Sequence, residues 1–289
     1  MELAVLKSAI EQIERRDSAQ SWLHSLNSRK REELEFHNKV RDRGVAATLP
    51  QDTFELLHGN KKYYSTVQLS QDYIEAWIRQ HVPGKVVLDY ACGNGQHALK
   101  AAQANAALAI GLDISDVSVR NCRESAAALG VAEQCRFVQG DCENTGLPSD
   151  SIDIVLCSGM LHHLDLSYAF PELRRVLKPG GLIFAVEALD YNPVIKAYRL
   201  LTPSMRTDWE THHILSLRDL RFADRFFEVK NVRYWHLLSI FAAFLHRRPT
   251  LMRPLLKVFD AIDSVLMRIP ALRLMAWQFT FELHKRRDD

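Results

Sequence analysis

No uninterrupted apolar run in the 289-residue sequence reaches the roughly 18 residues that a bilayer-crossing helix needs. Charge of one sign is also lacking: 37 basic residues against 35 acidic ones leave a net +2. So small an excess gives no electrostatic footprint for nucleic acid. Cysteine is scarce, and Cys92, Cys122, Cys135, Cys142 and Cys157 include no Cys-x-x-Cys pair. They sit in or beside predicted core elements, as reduced, small apolar residues do in a cytosolic protein, and not as disulfides or zinc ligands. The amino terminus has no basic segment followed by a long apolar core. No secretory signal is therefore expected, and the location implied is the cytoplasm. Internal repeats and low-complexity tracts are absent. What is present, 47% apolar and 25% charged residues, is ordinary for a globular chain long enough for one large α/β domain or two small ones.

The chain is organised around residues 86–115. Val86–Leu88 is an apolar run ending in an acid, Asp89. Gly93 and Gly95 follow, then a helix-like stretch (Ala98, Leu99, Ala101, Ala102), then a second apolar run ending in Asp113. Strand, glycine loop, helix, strand is a βαβ unit suited to a nucleotide, with the second acid placed for ribose hydroxyls. Two cofactor classes share this plan. Gly93, Gly95 and Ala98 fit G-x-G-x-x-[GA], and Asp113 lies 20 residues past Gly93, as in a dinucleotide site. Asp89 argues for the other class, because a carboxylate at the mouth of the loop repels a pyrophosphate and attracts an ammonium or sulfonium.

Asp89-Tyr-Ala-Cys-Gly-Asn-Gly95 resembles the glycine motif of class I S-adenosylmethionine (SAM) dependent methyltransferases. Four further pieces stand in the matching order: Gly111-Leu-Asp-Ile-Ser115, Gln139-Gly-Asp-Cys-Glu143, Asp153–Gly159 with Leu161-His-His-Leu164, and Leu177-Lys-Pro-Gly-Gly181. The resemblance covers about residues 82–187 and in detail is similar to the small-molecule branch with the ubiquinone and menaquinone methyltransferases. It implies SAM as cofactor, held by Asp89, Ala91, Cys92, Gly93, Gly95, Asp113, Ile114, Asp141, Cys142, Ser158 and Gly159. In that assignment Asp89 sits near the ammonium, Asp113 grips the ribose, and Asp141 faces the adenine amino group with Cys142 packing on the ring. Some quinone O-methyltransferases carry E-x-x-E-H after the fourth strand and bind a divalent metal there. Gly159-Met-Leu-His162-His163 lacks those carboxylates, so no metal is expected.

The implied fold is α/β: a Rossmann-like, doubly wound, seven-stranded sheet. An amino-terminal helical extension (1–81) precedes the SAM-binding domain (82–289), which carries helical insertions at about 188–226 and 233–275. Leu3, Leu6, Ile10 and Ile13 repeat at helical spacing. The charged segment Arg29–Arg43 is either a solvated extension or a lid, Phe36-His37-Asn38 and Tyr63-Tyr64 arguing for the lid. Ser70 is expected to cap a helix over 70–80. Residues 188–215, with Glu187, Tyr191, Arg206, Asp208, His212 and His213, read as a substrate lid or as a surface ion-pair cluster. The candidate catalytic residues are His163 and then His213, with His162 and Tyr64.

Residues 234–269 read as an apolar helical pair with basic flanks. That suits a peripheral membrane surface, a lipophilic pocket, or faces buried on each other or in a homodimer. The function expected is methyl transfer to a small lipophilic or aromatic acceptor. The alternatives are an NAD-dependent oxidoreductase and a non-catalytic SAM-fold protein that binds a membrane or a partner.

Overall fold

The computed structural model describes residues 3–17, 20–50, 53 and 61–287. Five parallel strands form the body of one sheet: β1 (Val86–Tyr90), β2 (Leu108–Asp113), β3 (Cys135–Gln139), β4 (Ile152–Ser158) and β5 (Leu177–Ala188). With β6 (Glu228–Trp235) and β7 (Gln278–His284) the order is β3-β2-β1-β4-β5-β7-β6. Every residue of β1 and β2 is buried, as continuous Val/Leu/Ile runs require when both faces of a sheet are covered. One core cluster joins Leu88, Ile110, Val155 and Phe281, and a second packs Val87, Ala109, Trp77 and Phe184.

The sheet is not parallel throughout, because β7 runs antiparallel to both β5 and β6. Strand β1 lies between β2 and β4, so the chain leaves it in opposite directions on its two sides. That topological switch point opens a crevice at the carboxyl ends of the strands. Asp89 and Asp113 lie at the ends of β1 and β2, and Asp141 lies just past β3.

Several expected boundaries move. The amino-terminal stretch is four helices: α1 (Leu3–Asp17), α2 (Gln20–Ser25), α3 (Ser28–Arg41) and α4 (Arg43–Thr48). Leu6, Ile10 and Ile13 of α1 join the main core, so this extension is packed on the sheet. A short helix α5 (Lys61–Tyr64) precedes α6 (Gln68–His81). Ser70 is not the cap of α6: it lies inside the first turn, its buried hydroxyl donating to the Val67 carbonyl and meeting His236 Nε2 at 2.8 Å.

Helix α7 (Gln96–Gln103) follows the glycine loop, and α8 (Asp116–Ala128) follows β2 with Ser115 as its cap, as expected. Helix α9 (Leu166–Val176) is stopped at Leu177, but Lys178-Pro-Gly-Gly181 belongs to β5. It enters the sheet at a register shift against β4, where a Cβ on Gly181 would stand 2.9 Å from the Lys178 carbonyl.

The first insertion holds α10 (Pro193–Leu201), α11 (Asp208–His212) and α12 (Leu217–Ala223). In the second, the expected helix starting at Tyr234 is instead the end of β6 and a 3-10 helix over Ser239–Leu245. Helix α13 (Pro249–Leu266) and a short α14 (Pro270–Arg273) follow. No described helix is long and apolar enough to cross a membrane.

Candidate active site

The loop after β1 turns through left-handed backbone at Ala91 (φ 52°) and Gly93 (φ 56°). A cavity of about 280 Å³ opens there, lined by Asp89, Ala91, Cys92, Gly93, Asp113, Ile114, Asp141, Cys142, Ser158 and Gly159. Ten of the eleven residues expected around a nucleotide cofactor thus share one cavity. Gly95 does not line it. Its φ is +72°, and a Cβ would stand 2.8 Å from Cys122 Sγ, so its glycine is required by turn and packing.

The three acids are held differently. Asp89 is buried and accepts the Ala98 amide at 2.9 Å. Burial, with Asp113 nearby, pushes its carboxyl up to about 7. Asp113 accepts the amides of Ser115 at 2.9 Å and Gly93 at 2.7 Å, which joins the tip of β2 to the glycine loop. Asp141 accepts the Glu143 amide at 2.9 Å.

Across this cavity lies α3. Arg29, Glu33, His37 and Arg41 recur every four residues and so fall on one helical face. Arg41 Nη1 is 3.1 Å from Asp113 Oδ2, and Lys30 Nζ is 2.6 Å from Asp141 Oδ2. Arg29 pairs with Glu143 and donates to the His163 carbonyl at 2.8 Å. This charged face is therefore turned to the cavity rather than to water. The i, i+4 spacing was visible in the sequence, but not what the face would meet.

A second cavity, of about 810 Å³, adjoins the first and shares His37, Arg41, Asn94, Ser158, Gly159 and His163 with it. Its walls are largely aromatic and apolar: Phe36, Tyr63, Tyr64, Tyr198, Ile240, Phe241, Phe244, Met275 and Trp277. Its polar groups are Glu187, Arg199, Arg206, Glu210 and the paired histidines. Tyr64 is half exposed, its ring 5.5 Å from that of Trp277.

The two histidines are fixed by different carboxylates. His162 Nδ1 lies 2.7 Å from Glu187 Oε2, while Glu187 Oε1 accepts the Met160 and Leu161 amides. Burial opposes charge on His162, yet Glu187, with Glu210 3.8 Å from Nε2, outweighs it and lifts the imidazole to about 9. His163 Nδ1 lies 3.0 Å from Glu33 Oε2, an acceptor that favours a proton on Nδ1. Glu33 also meets His37 Nε2 at 3.2 Å and accepts from Thr207 Oγ1 at 2.5 Å. Burial opposes its ionisation, but these hydrogen bonds hold it well below the usual carboxylate range.

Other expected residues are elsewhere. His213 is exposed, its ring stacked on Trp209 at 3.6 Å and its Nδ1 on the Trp209 carbonyl. It faces neither cavity and is withdrawn as a candidate base. Asp208 and His212 are also exposed outside the cavities, and the Tyr191 hydroxyl accepts the Leu217 amide at 3.2 Å. Of the residues named for that cluster, Glu187 and Arg206 line the larger cavity, and Glu210 beside them does too. Sequence reasoning missed Glu33 and Arg199, because nothing local marks them apart from surface charges. Glu33, His37 and His163 place three metal-ligand-type atoms within 4.8 Å of one another, as do His162, His163 and Glu210. The expectation of no metal was formed without Glu33 and His37 in view.

The methyltransferase domain family model matches residues 87–181. A sterol 24-C-methyltransferase of Gibberella zeae is 35% identical over 108 residues, 37% of this chain and 28% of that protein. The 27-O-demethylrifamycin SV methyltransferase of Amycolatopsis mediterranei is 33% identical over 99 residues, 34% of this chain and 36% of that protein. The chain thus spans about a third of the length of these relatives. Geranyl diphosphate C-methyltransferase from Streptomyces coelicolor superposes with a TM-score of 0.58 at 14% identity, over 90% of this chain and 99% of that one. Magnesium protoporphyrin IX methyltransferase from Synechocystis, solved with S-adenosylhomocysteine, gives 0.57 at 17% identity, over 89% and 99%. Residues 87–181 match the methyltransferase domain family, and the glycine loop, the acids at the strand ends and the strand order fall within the fold shared with these structures.

Proposed function

We propose that the protein transfers the methyl group of SAM to a small, lipophilic or aromatic acceptor. The observation that carries this reading is the position of His163. It lines both cavities, next to Ser158 and Gly159, where a nucleotide cleft and an aromatic pocket meet. The residues fit the cofactor. Asp113 and Asp141 present carboxylates for the ribose and the adenine amino group, Asp89 supplies an acid near a cationic group, and the Gly93 loop lets a ligand approach the backbone. Bound there, SAM supplies a methyl group already activated by its sulfonium.

The work left to the chain is positioning, water exclusion and proton handling. Alignment alone contributes up to roughly 7–11 kcal/mol. The aromatic pocket holds an apolar acceptor with its reactive atom toward His163. For a hydroxyl acceptor, His163 Nε2 takes the proton, and Glu33 is the positioning residue that fixes the tautomer. His162, lifted to about 9, is cationic at neutral pH and stabilises developing negative charge. A sterol methyltransferase among the relatives and a geranyl diphosphate methyltransferase among the structural neighbours accord with a lipophilic acceptor. The five buried free cysteines support a reducing, cytoplasmic setting.

Titration with SAM, S-adenosylhomocysteine and NAD tests the cofactor, and NAD binding without SAM binding overturns the proposal. Transfer of radiolabelled methyl from SAM into a host lipid extract tests the acceptor class. SAM binding with no turnover on any extract favours the non-catalytic alternative.

A further inference from the structure

The larger cavity does not close on itself, and its open side is apolar. Phe241 and Phe244, on the 3-10 helix, line it and are also exposed, Phe244 to 73%. The inner side of that helix packs on α13 through Ala242 and Leu245 against Met252, Leu256 and Phe259. The other side of α13 is left bare. Leu251, Leu255, Val258, Ile262 and Val265 follow a 3.6-residue period, with Ile269 just past the helix end, and all but the partly buried Leu255 are exposed. On the opposite rim α10 lines the cavity with Val194, Ile195 and Tyr198 and carries exposed Leu200 and Leu201, the latter at 82%. So extended an apolar surface is not left to water without a partner.

Its own exposed charges are of one sign. Between Ser239 and Pro270 the exposed charged residues are Arg247, Arg248, Arg253, Lys257 and Arg268. The two acids of that stretch are turned inward. Asp263 is buried and accepts the amides of Leu237, Leu238 and Ser239, and Asp260 is half-buried. An apolar stripe whose own exposed charges are all cations fits an amphipathic helix lying in an anionic lipid interface, the exposed Asp72 of α6 being an acid near Asp260. It does not suit a twofold dimer, which would set this cationic rim against its own copy, where juxtaposed like charges are costly.

We propose that this face seats on an anionic bilayer, and that the acceptor passes from the lipid between Phe241, Phe244 and α10 into the pocket beside His163. The route rests on the methyltransferase reading; the docking itself does not. The test therefore uses the full chain without SAM. Co-flotation is measured on vesicles of phosphatidylcholine alone and of phosphatidylcholine with phosphatidylglycerol, and light scattering gives the mass in solution. The expected result is a monomer that floats with the anionic vesicles, less so as salt rises, and not with the neutral ones. Arg253→Glu with Lys257→Glu should weaken partitioning more than tenfold, each near-surface cation being worth about fivefold. Val258→Ser with Val265→Ser alters only exposed positions and should weaken it while circular dichroism stays unchanged. Absence of flotation on anionic vesicles at low salt overturns the proposal. So does a dimer that the Val258→Ser/Val265→Ser variant dissociates, since the face then serves a second copy. Flotation without methyl transfer leaves the docking intact and counts only against the catalytic reading.

Discussion

Arg41 and Asp113 form an ion pair, Nη1 to Oδ2 at 3.1 Å, over the glycine loop. A Cβ on Gly93 would stand 3.3 Å from that guanidinium. Helix α3 thus occupies the carboxylate proposed above to hold the ribose. On that proposal ribose and Arg41 compete for Asp113. Arg41→Ala is expected to tighten SAM severalfold by calorimetry, whereas Asp113→Ala loses about 1.5–3 kcal/mol of binding with a charged acceptor removed. Weaker binding in Arg41→Ala would show instead that the guanidinium contacts the cofactor.

His163 is expected to separate chemistry from binding. For a hydroxyl acceptor, His163→Ala should lower kcat by a factor of order 10²–10⁴ with little change in SAM affinity. Glu33→Gln, which keeps an acceptor of similar shape opposite Nδ1, should give a smaller loss and move the pH dependence of kcat. Equal kcat in wild type and His163→Ala across the pH range removes the base assignment.

Asp89 and His162 both make stability fall as pH rises, in successive windows. The folded value of Asp89, about 7, lies above its ordinary 3.8, so the folded state binds the extra proton and stability falls as pH rises from about 4 to 7. His162, at about 9 against an ordinary 6.5, adds stability below pH 6.5 that is lost as pH rises through 9. Asp89→Asn keeps an acceptor for the Ala98 amide without the buried charge. Its Tm should exceed that of wild type at pH 8, by an upper limit on the order of 4 kcal/mol in stability. The same variant should lose affinity for SAM. Thermal melts at pH 5 and pH 8, with and without SAM, read both effects.

Gly95 should matter to folding more than to the cofactor. Gly95→Ala forces a Cβ to 2.8 Å from Cys122 Sγ at a φ of +72°. The strain should cost about 1–3 kcal/mol. Denaturant melts should show this, with SAM affinity near wild type in the folded fraction.

The tip of the parallel sheet was legible before any coordinates. Apolar runs buried on both faces, the glycines between them and the acids at their ends are local patterns. Ten of the eleven expected residues therefore line one cavity. The packing need for Gly95 was not legible, because a glycine required by packing and one required by a ligand look alike in sequence. The strand β7 reads as a strand but not as an antiparallel one, since direction is set by the path of the preceding chain.

Sequence by itself determined the βαβ unit and the acids around the crevice, because these depend on residue type and short spacing. Tertiary structure decided which charges meet. Glu33 and His163 are 130 positions apart, and Arg41 and Asp113 are 72 apart. His213, adjacent to plausible lid residues, is turned out onto Trp209. A helical face of charged residues is the same pattern whether it meets water or a cofactor cleft. Only the packing of α3 across the strand ends, which desolvates Glu33 and pairs Arg41, distinguishes the two.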